Sequence, residues 1–356
     1  MTLTSPNPTP VAEAPRSGGT RLVDRVFRMR ELAILAVFLV MIVVTQAGNS
    51  QFLSEQGIKD LLLNATILVL VATGQSLVVI TRNVDLSVGS TLGISAFAAG
   101  TCLHGGGDPV VAIVLAVLLG IGFGLVNGLL VSLGQVPALV VTLGTLYIIR
   151  GIDSIWVGSR QITAADLPPG FVDFGSGGLS AVPYLALIAL AVLVATAYYL
   201  KHFGSGRELY ALGSNPEAAR LAGIPVRRRI LLAYTFCGAL TGLAGAMYLA
   251  RFGNVDSGTG NGYELTVVSA VVVGGVVFTG GSGSVYGAAL GALLLTSVNS
   301  VLPALGVSSV WVLAINGVLL LLAIAVDRIV GLRVAAALKK NPASAKSAVQ
   351  KGEARA

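Results

Sequence analysis

Residues 201–229 contain the most complete local structural signals in this sequence of 356 residues. Asn215 is a good N-cap for a helix, Pro216 fits the first helical position, and Glu217 suits the positive end of the helix dipole. Helix-forming residues follow, and Gly223 can end the helix. The spacing predicts a short helix with glycines on both sides.

Two interpretations of this short helix are equally compatible with its residues. A short helix between glycines can dock into a groove on a partner protein and be displaced by it. An amphipathic loop could instead lie on the membrane surface, with Arg227, Arg228 and Arg229 fixing the orientation of the next span. A second short helical piece is predicted over residues 207–210.

Arg82, Asn83 and Asp85 form a second polar group, directly before an apolar run. The simpler interpretation makes Asp85 an N-cap, whose carboxylate satisfies the free amides at the start of the next helix. The alternative is a gate at the cytoplasmic side, in which Arg82 and Asp85 engage a neighbouring loop or a partner. Both interpretations place the group at the end of a span.

Polar side chains inside the apolar runs are the candidates for a polar path through the protein, and four amides are singled out among them. For each of them, a hydrogen bond between helices, worth about 0.6 to 2 kcal/mol, is the simpler interpretation. The four residues are Gln75, Asn127, Asn299 and Asn316.

Several catalytic chemistries lack their motifs in this sequence. None of the six lysines lies in a G-x-x-x-x-G-K-[ST] loop, so the chain is not expected to hydrolyse ATP itself. A G-x-S-x-G elbow is missing, and the predicted spans contain no acid pair for an intramembrane protease. His104 and His202 have no second ligand at metal-binding spacing. We therefore expect no cofactor or metal in this chain, and a transporter component rather than an enzyme.

The composition points to a membrane protein with many helices. Hydrophobic residues make up 54% of the chain and charged residues 11%, against about 25% charged in soluble proteins. Since each crossing needs about 20 apolar residues, this composition accommodates nine or ten membrane helices. The 45 glycines predict close helix packing. We predict an all-α, polytopic membrane protein.

Ten apolar runs are candidates for membrane spans. The fifth and eighth are short and could be tilted, broken or re-entrant. The runs cover residues 32–47, 61–80, 86–103, 109–133, 136–149, 182–200, 230–250, 265–278, 285–302 and 310–326.

The distribution of charge predicts the orientation. With ten crossings and both termini in the cytoplasm, 19 of the 23 Lys and Arg residues lie on the cytoplasmic side and 4 on the outer side. This bias explains the net charge of +7 without a nucleic-acid partner. The predicted organisation is a cytoplasmic tail at 1–30, a membrane domain at 31–327 with the cytoplasmic loop 201–229, and a second tail at 328–356.

Five stretches of the chain resemble the permeases of ATP-binding-cassette (ABC) importers of the ribose type. GRELYALGSNPEAARLAG, at 206–223, is similar to the coupling loop of that family. TRNVDLSVGS, at 81–90, and VNGLLVSLGQVPALVVTLGTL, at 126–146, resemble the regions before its third span and between its fourth and fifth spans. GTGNGYEL, at 258–265, and VVGGVVFTGGSGSVYGAALGALLL, at 272–295, complete the match.

The resemblance implies a permease of the bacterial inner membrane that pairs with a second permease, identical or paralogous. Cytoplasmic ABC ATPases, which would bind ATP and magnesium, and an extracytoplasmic sugar-binding protein would complete the importer. Residues 215–222 would then form the coupling helix. The residues implied in coupling to the ATPase are Gly206, Gly213, Asn215, Glu217, Ala218, Arg220 and Gly223.

Within that family, residues 80–90 and 150–162 look most like the subgroup that imports autoinducer-2, and they are also similar to permeases for rhamnose and other monosaccharides. Branched-chain amino-acid permeases share the general architecture but resemble this chain less. The main alternative from another class is an ion-coupled secondary transporter, which is disfavoured because the ten predicted spans contain no Asp, Glu or His. A membrane scaffold is disfavoured because polar residues and glycines recur in nearly every span.

Overall fold

The computed structural model describes residues 18–304, 308, 311, 314–315, 317–319, 321–322 and 325. The described chain is almost entirely helical. Its α-helices are α1 (Gly18–Gly48), α2 (Glu55–Ile80), α3 (Val88–His104), α4 (Pro109–Ser132), α5 (Ala138–Val157), α6 (Pro169–Ser176), α7 (Tyr184–His202), α8 (Gly204–Ser214), α9 (Pro216–Leu221), α10 (Val226–Phe252), α11 (Tyr263–Val273) and α12 (Val285–Ala304).

Two short elements complete the described chain. A 3₁₀ turn covers Ala164–Asp166, between α5 and α6. Strands β1 (Gly178–Leu179) and β2 (Val182–Pro183) form an antiparallel hairpin in which Leu179 lies opposite Val182.

Six helices of the described residues are long and apolar enough to cross a membrane: α2, α4, α5, α7, α10 and the part of α12 over Val285–Leu302. The predicted mostly helical, membrane-type class is confirmed. The number of ten spans and the cytoplasmic position of both termini stay predictions, and the tenth run, 310–326, lies outside the described residues apart from isolated positions.

Helix α11 is too short to cross a bilayer. Its 11 residues span about 16 Å at 1.5 Å per residue, which is about half of the hydrocarbon thickness of roughly 30 Å. The short eighth run therefore corresponds to a half-length helix, one of the arrangements predicted for it.

The non-helical segment at 253–262 leads into α11 and packs against α3. A Cβ at Gly260 would collide with the carbonyl oxygen of Gly89 in α3, and the φ angle of Gly260 is 79°. The guanidinium of Arg150 donates a hydrogen bond of 2.7 Å to the carbonyl of Thr259. Irregular backbone at membrane depth is tolerated where protein covers it in this way.

The fifth span departs from its predicted limits. Helix α5 continues past the predicted end at Ile149 to Val157, so it contains Arg150 and Asp153, which were predicted to lie outside the membrane. Asp153 is fully buried, with its Oδ2 3.7 Å from Nη1 of Arg150. The prediction of spans without acidic residues is therefore wrong for α5, because two opposite charges one turn apart inside a bundle can share the cost of burial.

Helix α2 is the centre of the bundle. Of its most apolar 18-residue window, 94% is buried, and it packs against α7, α10, α11 and α12. A helix that is apolar on all sides belongs inside a protein rather than at its surface. The least buried long helices, α4, α5 and α7, expose apolar side chains outward, as expected of helices that face lipid.

Helices α4 and α10 cross along a line of glycines. A Cβ at Gly238 would collide with the carbonyl oxygen of Gly120, and a Cβ at Gly120 would collide with that of Gly238. Small residues that let two backbones approach are the usual basis of close helix packing in membranes. At this crossing, the glycines therefore allow the backbones of α4 and α10 to come into direct contact.

We expect Gly238→Leu to destabilise the protein by about 3 kcal/mol or more, the upper end of overpacking costs, because the obstacle is backbone and cannot rotate away. The matched control is Gly122→Leu on α4, since nothing lies within 4 Å of a Cβ there. Thermal unfolding in detergent, followed by fluorescence-detected size exclusion, measures both variants. Equal losses in the two variants would contradict the assigned crossing.

Candidate functional site

Three segments meet where α2 ends: the first residues after α2, the end of α8, and the glycine-rich turn that precedes α12. We call this contact the three-segment junction. The amide of Gly281 donates a hydrogen bond of 2.9 Å to the carbonyl of Ile80. Gly213 lies between them, because a Cβ at Gly213 would collide with the oxygen of Ile80 and the nitrogen of Gly281. The junction therefore has no room for any side chain at position 213.

Arg82 ties the end of α2 to the end of α8. Its guanidinium donates hydrogen bonds to the carbonyl of Gly213 through Nε and to the carbonyl of Ser214 through Nη2, the latter at 2.7 Å. Its φ angle of 64° lies in the left-handed region, which costs an L residue of order 1–3 kcal/mol. The two hydrogen bonds offset part of that cost, because they satisfy carbonyls at the C-terminal end of α8.

Tyr210 makes the third link between α8 and the glycine-rich turn. Its hydroxyl donates a hydrogen bond of 3.1 Å to the carbonyl of Gly283. Burial raises the pKa of Tyr210 to about 12, so the phenol keeps its proton at physiological pH and remains a donor.

Helix α8 is also fixed along the rest of its length. Gly206 packs so closely on the end of α7 that a Cβ would collide with the backbone of Tyr199 and Leu200. The carboxylate of Glu208 pairs with the guanidinium of Arg229 at 2.5 Å, which links α8 to the first turns of α10. The predicted short helical piece at 207–210 is thus the middle of an 11-residue helix with contacts on three sides.

Helix α9 matches the predicted short helix closely. The Asn215 side chain accepts hydrogen bonds from the amides of Glu217 and Ala218, both 3.1 Å, as an N-cap does. Gly223 has a φ angle of 79°, and the amide of Ile224 donates a hydrogen bond of 3.0 Å to the carbonyl of Ala219, five residues earlier. This is the glycine-ended C-cap that the sequence predicted.

One face of α9 points away from the protein. Ala219 is buried against the bundle, whereas Glu217, Ala218 and Arg220 are exposed and Leu221 is 90% exposed. The result is a two-turn projection that carries one acidic, one basic and two apolar side chains. Its base is held by the rigid α8 and the three-segment junction.

Asp85 lies in a buried hydrogen-bond network at the start of α3. Its Oδ1 accepts from the amide of Ser87 at 2.9 Å, from the Ser87 hydroxyl at 2.7 Å, and from Nδ2 of Asn127 in α4 at 3.3 Å. Ser87, not Asp85, occupies the N-cap position of α3. Burial raises the pKa of Asp85, and the hydrogen bonds from Ser87 and Asn127 partly counteract that rise.

The predicted polar group of Arg82, Asn83 and Asp85 is therefore divided between two contacts. Arg82 reaches the end of α8, and Asp85 reaches α4 through Asn127. Asn83 bonds locally, with Nδ2 donating to the carbonyl of Thr81 at 2.9 Å. The loop between α2 and α3 thus connects the three-segment junction to the start of α3 and to the last turns of α4.

The four path candidates lie at different places. Gln75 is fully buried in α2, with its Oε1 3.7 Å from the Cys237 sulfur of α10, and Asn127 belongs to the Asp85 network. Asn299 lines a cavity at the opposite end of the bundle from α8 and α9. Asn316 lies outside the described residues.

Sequence reasoning missed the residues on which the three-segment junction depends, namely Ile80, Tyr210 and Gly281. The cluster of glycines at 280–283 is the available signal, because such a cluster is typical of a tight turn. Its partners lie some 70 and 200 residues earlier in the chain, and nothing in the spacing of the glycines indicates them.

The family model described as branched-chain amino acid transport system / permease component matches residues 57–324. The chain is 37% identical over 315 residues to the autoinducer 2 import system permease protein LsrC of Salmonella typhi, covering 88% of each chain. It is 36% identical to LsrC of Escherichia coli O157:H7, covering 84% of this chain and 86% of that one.

Another relative is the ribose import permease protein RbsC of Escherichia coli K12. The identity is 34% over 314 residues, which cover 87% of this chain and 97% of the relative. No solved structure matches the chain.

We expect Gly213→Ala to destabilise the protein by about 1–3 kcal/mol, because the added methyl group forces α8 away from the end of α2. Gly204→Ala, at the other end of α8, is the control, since a Cβ there meets nothing within 4 Å. Thermal unfolding in detergent measures both. A Gly213→Ala variant as stable as Gly204→Ala would show that the three-segment junction is looser than described.

Proposed function

The chain belongs to the family of branched-chain amino acid transport system permease components, and from this membership we propose that it carries a monosaccharide or a sugar-like solute such as autoinducer-2 into the cytoplasm. It is a permease subunit of an ABC importer and a multi-pass protein of the inner membrane. Such a permease works with an ATPase and a solute-binding protein. The names of the relatives support the sugar-like class, since they import autoinducer 2 and ribose.

The observation that carries the coupling part of the proposal is the exposed face of α9 on a rigid base. We propose that a cytoplasmic ATPase holds this projection through Glu217, Ala218 and Arg220. ATP and magnesium would be bound by that partner and not by this chain. Only one side chain of α9 is buried, so a partner can bind this two-turn helix without unfolding the bundle. Helix α9 is therefore suited to be displaced by the ATPase.

Closure of the ATPases would then move α9, and α8 would move with it. Gly213 rests directly on the backbone of Ile80 and Gly281, so no flexible side chain lies between α8 and the ends of α2 and α12. The displacement would pass into the central helix and reorient the spans between an outward-open and an inward-open state.

The remaining parts of the proposal concern the assembly. A second permease copy or paralogue would pair with this chain, and an extracytoplasmic sugar-binding protein would deliver the solute. Both termini and the α8–α9 segment would lie in the cytoplasm. The loop with Arg82, Asn83 and Asp85 would close the cytoplasmic side, with Arg82 following the movement of α8.

The proposal predicts that an ATPase co-purifies when this chain is tagged and co-expressed with its candidate ATPases. We expect ATP hydrolysis by the purified complex to rise several-fold when the sugar-loaded binding protein is added. Uptake into vesicles by this chain without any ATPase would contradict the proposal and favour an ion-coupled carrier.

We expect Glu217→Arg to reduce uptake by the reconstituted importer at least tenfold, because it reverses a charge on the exposed face of α9. Gly223→Pro should abolish uptake as well, since proline cannot adopt a φ angle of 79°. Both variants should insert normally and elute as monodisperse complexes in detergent. Asp173→Arg is the matched control, because Asp173 is an exposed acid on α6, which packs on the other end of α10. Wild-type uptake by Glu217→Arg would count against the assigned coupling face.

A further inference from the structure

A cavity of about 260 Å³ opens between α2, α10, α11 and α12, at the end of the bundle opposite α8 and α9. It extends to the middle of the bundle. Ile67 and Leu68 form part of its wall, and they lie about halfway along the 26 residues of α2, some 18–20 Å from the start of the helix at 1.5 Å per residue. The first residue of the half-length helix α11, Tyr263, also lines it.

The polar lining consists of amides and hydroxyls. Asn64 of α2 and Asn299 of α12 contribute amides, and Thr266, Thr296 and Ser300 contribute hydroxyls. Each of these groups can both donate and accept a hydrogen bond. Each hydroxyl group of a polyhydroxylated solute can also donate and accept a hydrogen bond. The five residues can therefore form hydrogen bonds with such a solute from three helices.

The apolar lining is largely aromatic. Tyr248 and Phe252 lie one turn apart on α10, with ring centroids 4.5 Å apart, and Tyr263 faces the same cavity from α11. Aromatic rings give a large, rigid surface against which the apolar face of a sugar ring can pack. No cluster of this kind is visible in the sequence, because the three rings come from positions separated by turns and a non-helical segment.

No charged side chain of the described residues lines this cavity. The nearest ion pair lies further out, where the Arg251 guanidinium is 2.8 Å from the Asp60 carboxylate. These two residues line a second cavity of about 430 Å³, which shares Asn64 and Ser300 with the first. The two cavities are neighbours, and we call them together the depression: its mouth is the cavity lined by Asp60 and Arg251, and its base is the cavity that reaches the middle of the bundle.

We propose that the base of this depression binds the transported solute within the membrane, and that it selects a neutral, polyhydroxylated molecule of monosaccharide size. The inference rests on the proposed function and goes beyond it by assigning the site and its specificity to Asn64, Thr266, Thr296, Asn299 and the three rings. The volume of about 260 Å³ lies just below the range of about 300–1,000 Å³ for drug-sized ligands, so it suits a smaller solute.

The neutral lining also discriminates against an amino acid. A zwitterion carries a full positive and a full negative charge, and burying either one without a partner is costly. The Asp60–Arg251 pair cannot serve as that partner at the base, because its charges are already paired with each other at the mouth. The site therefore favours a sugar over the branched-chain amino acids named in the family description.

The test uses the complete importer, reconstituted in liposomes with its ATPase and binding protein, and labelled D-ribose, L-rhamnose and L-leucine as probes. We expect the wild type to take up at least one of the two sugars and no L-leucine. Asn64→Leu should lower sugar uptake at least tenfold, and Thr266→Val several-fold. Thr66→Val is the matched control, since Thr66 is a buried threonine of α2 that bonds to its own helix and does not line the cavity.

Stimulation of ATP hydrolysis by the loaded binding protein separates the possible failures. The site variants should keep it within twofold of the wild type, because their defect concerns the solute and not the coupling. Site variants that transport sugar as well as Thr66→Val does would overturn the assigned site while leaving the proposed function standing. Uptake of L-leucine alone, or of none of the three probes, would overturn the specificity for a neutral sugar. Failure of the wild type to recruit an ATPase would instead refute the proposed function.

Discussion

The backbone contact of Gly213 with Ile80 and Gly281 is the constraint on which the working parts of this protein depend. Three segments that are far apart in the sequence approach to the distance of backbone atoms, and no side chain at position 213 fits between them. A contact between backbones cannot be absorbed by a rotamer change, unlike one between flexible side chains. Hence α8, the central helix α2 and the turn before α12 are fixed relative to one another. Helix α9 follows α8 directly, so a movement of α9 also moves these three segments.

Two buried carboxylates of this bundle are compensated in different ways, Asp85 by hydrogen bonds and Asp153 by a neighbouring charge. The Asp85 carboxylate, which burial disfavours, receives three hydrogen bonds from Ser87 and Asn127, and Asp153 has Arg150 one turn away. In hydrocarbon such groups would be prohibitively costly without partners. Asn127 belongs to α4, and the Thr142 hydroxyl of α5 donates a hydrogen bond of 3.3 Å to the carbonyl of Val84, so both helices are tied to the α2–α3 loop by hydrogen bonds.

Local signals in the sequence predicted local structure well. Asn215, Pro216 and Gly223 define α9 because a cap depends on residues within one turn of it, and the apolar runs predicted most of the long helices. The end of α5 was misplaced because a hydropathy scan stops at Arg150 and cannot see that Asp153 neutralises it. The three-segment junction and the aromatic cavity could not be predicted, since both arise where residues from distant helices converge, and one sequence contains no information on which helices become neighbours.

The short length of helix α11 determines how it can transmit movement. It begins at Tyr263, in the wall of the cavity, and ends at Val273, where the chain turns toward Gly281 and the end of α8. Helices bend over radii of roughly 60–100 Å, so a rod of about 16 Å behaves as a strut. A displacement of the carboxyl end of α11 is therefore transmitted, at nearly full amplitude, to the groups that contact its first turn.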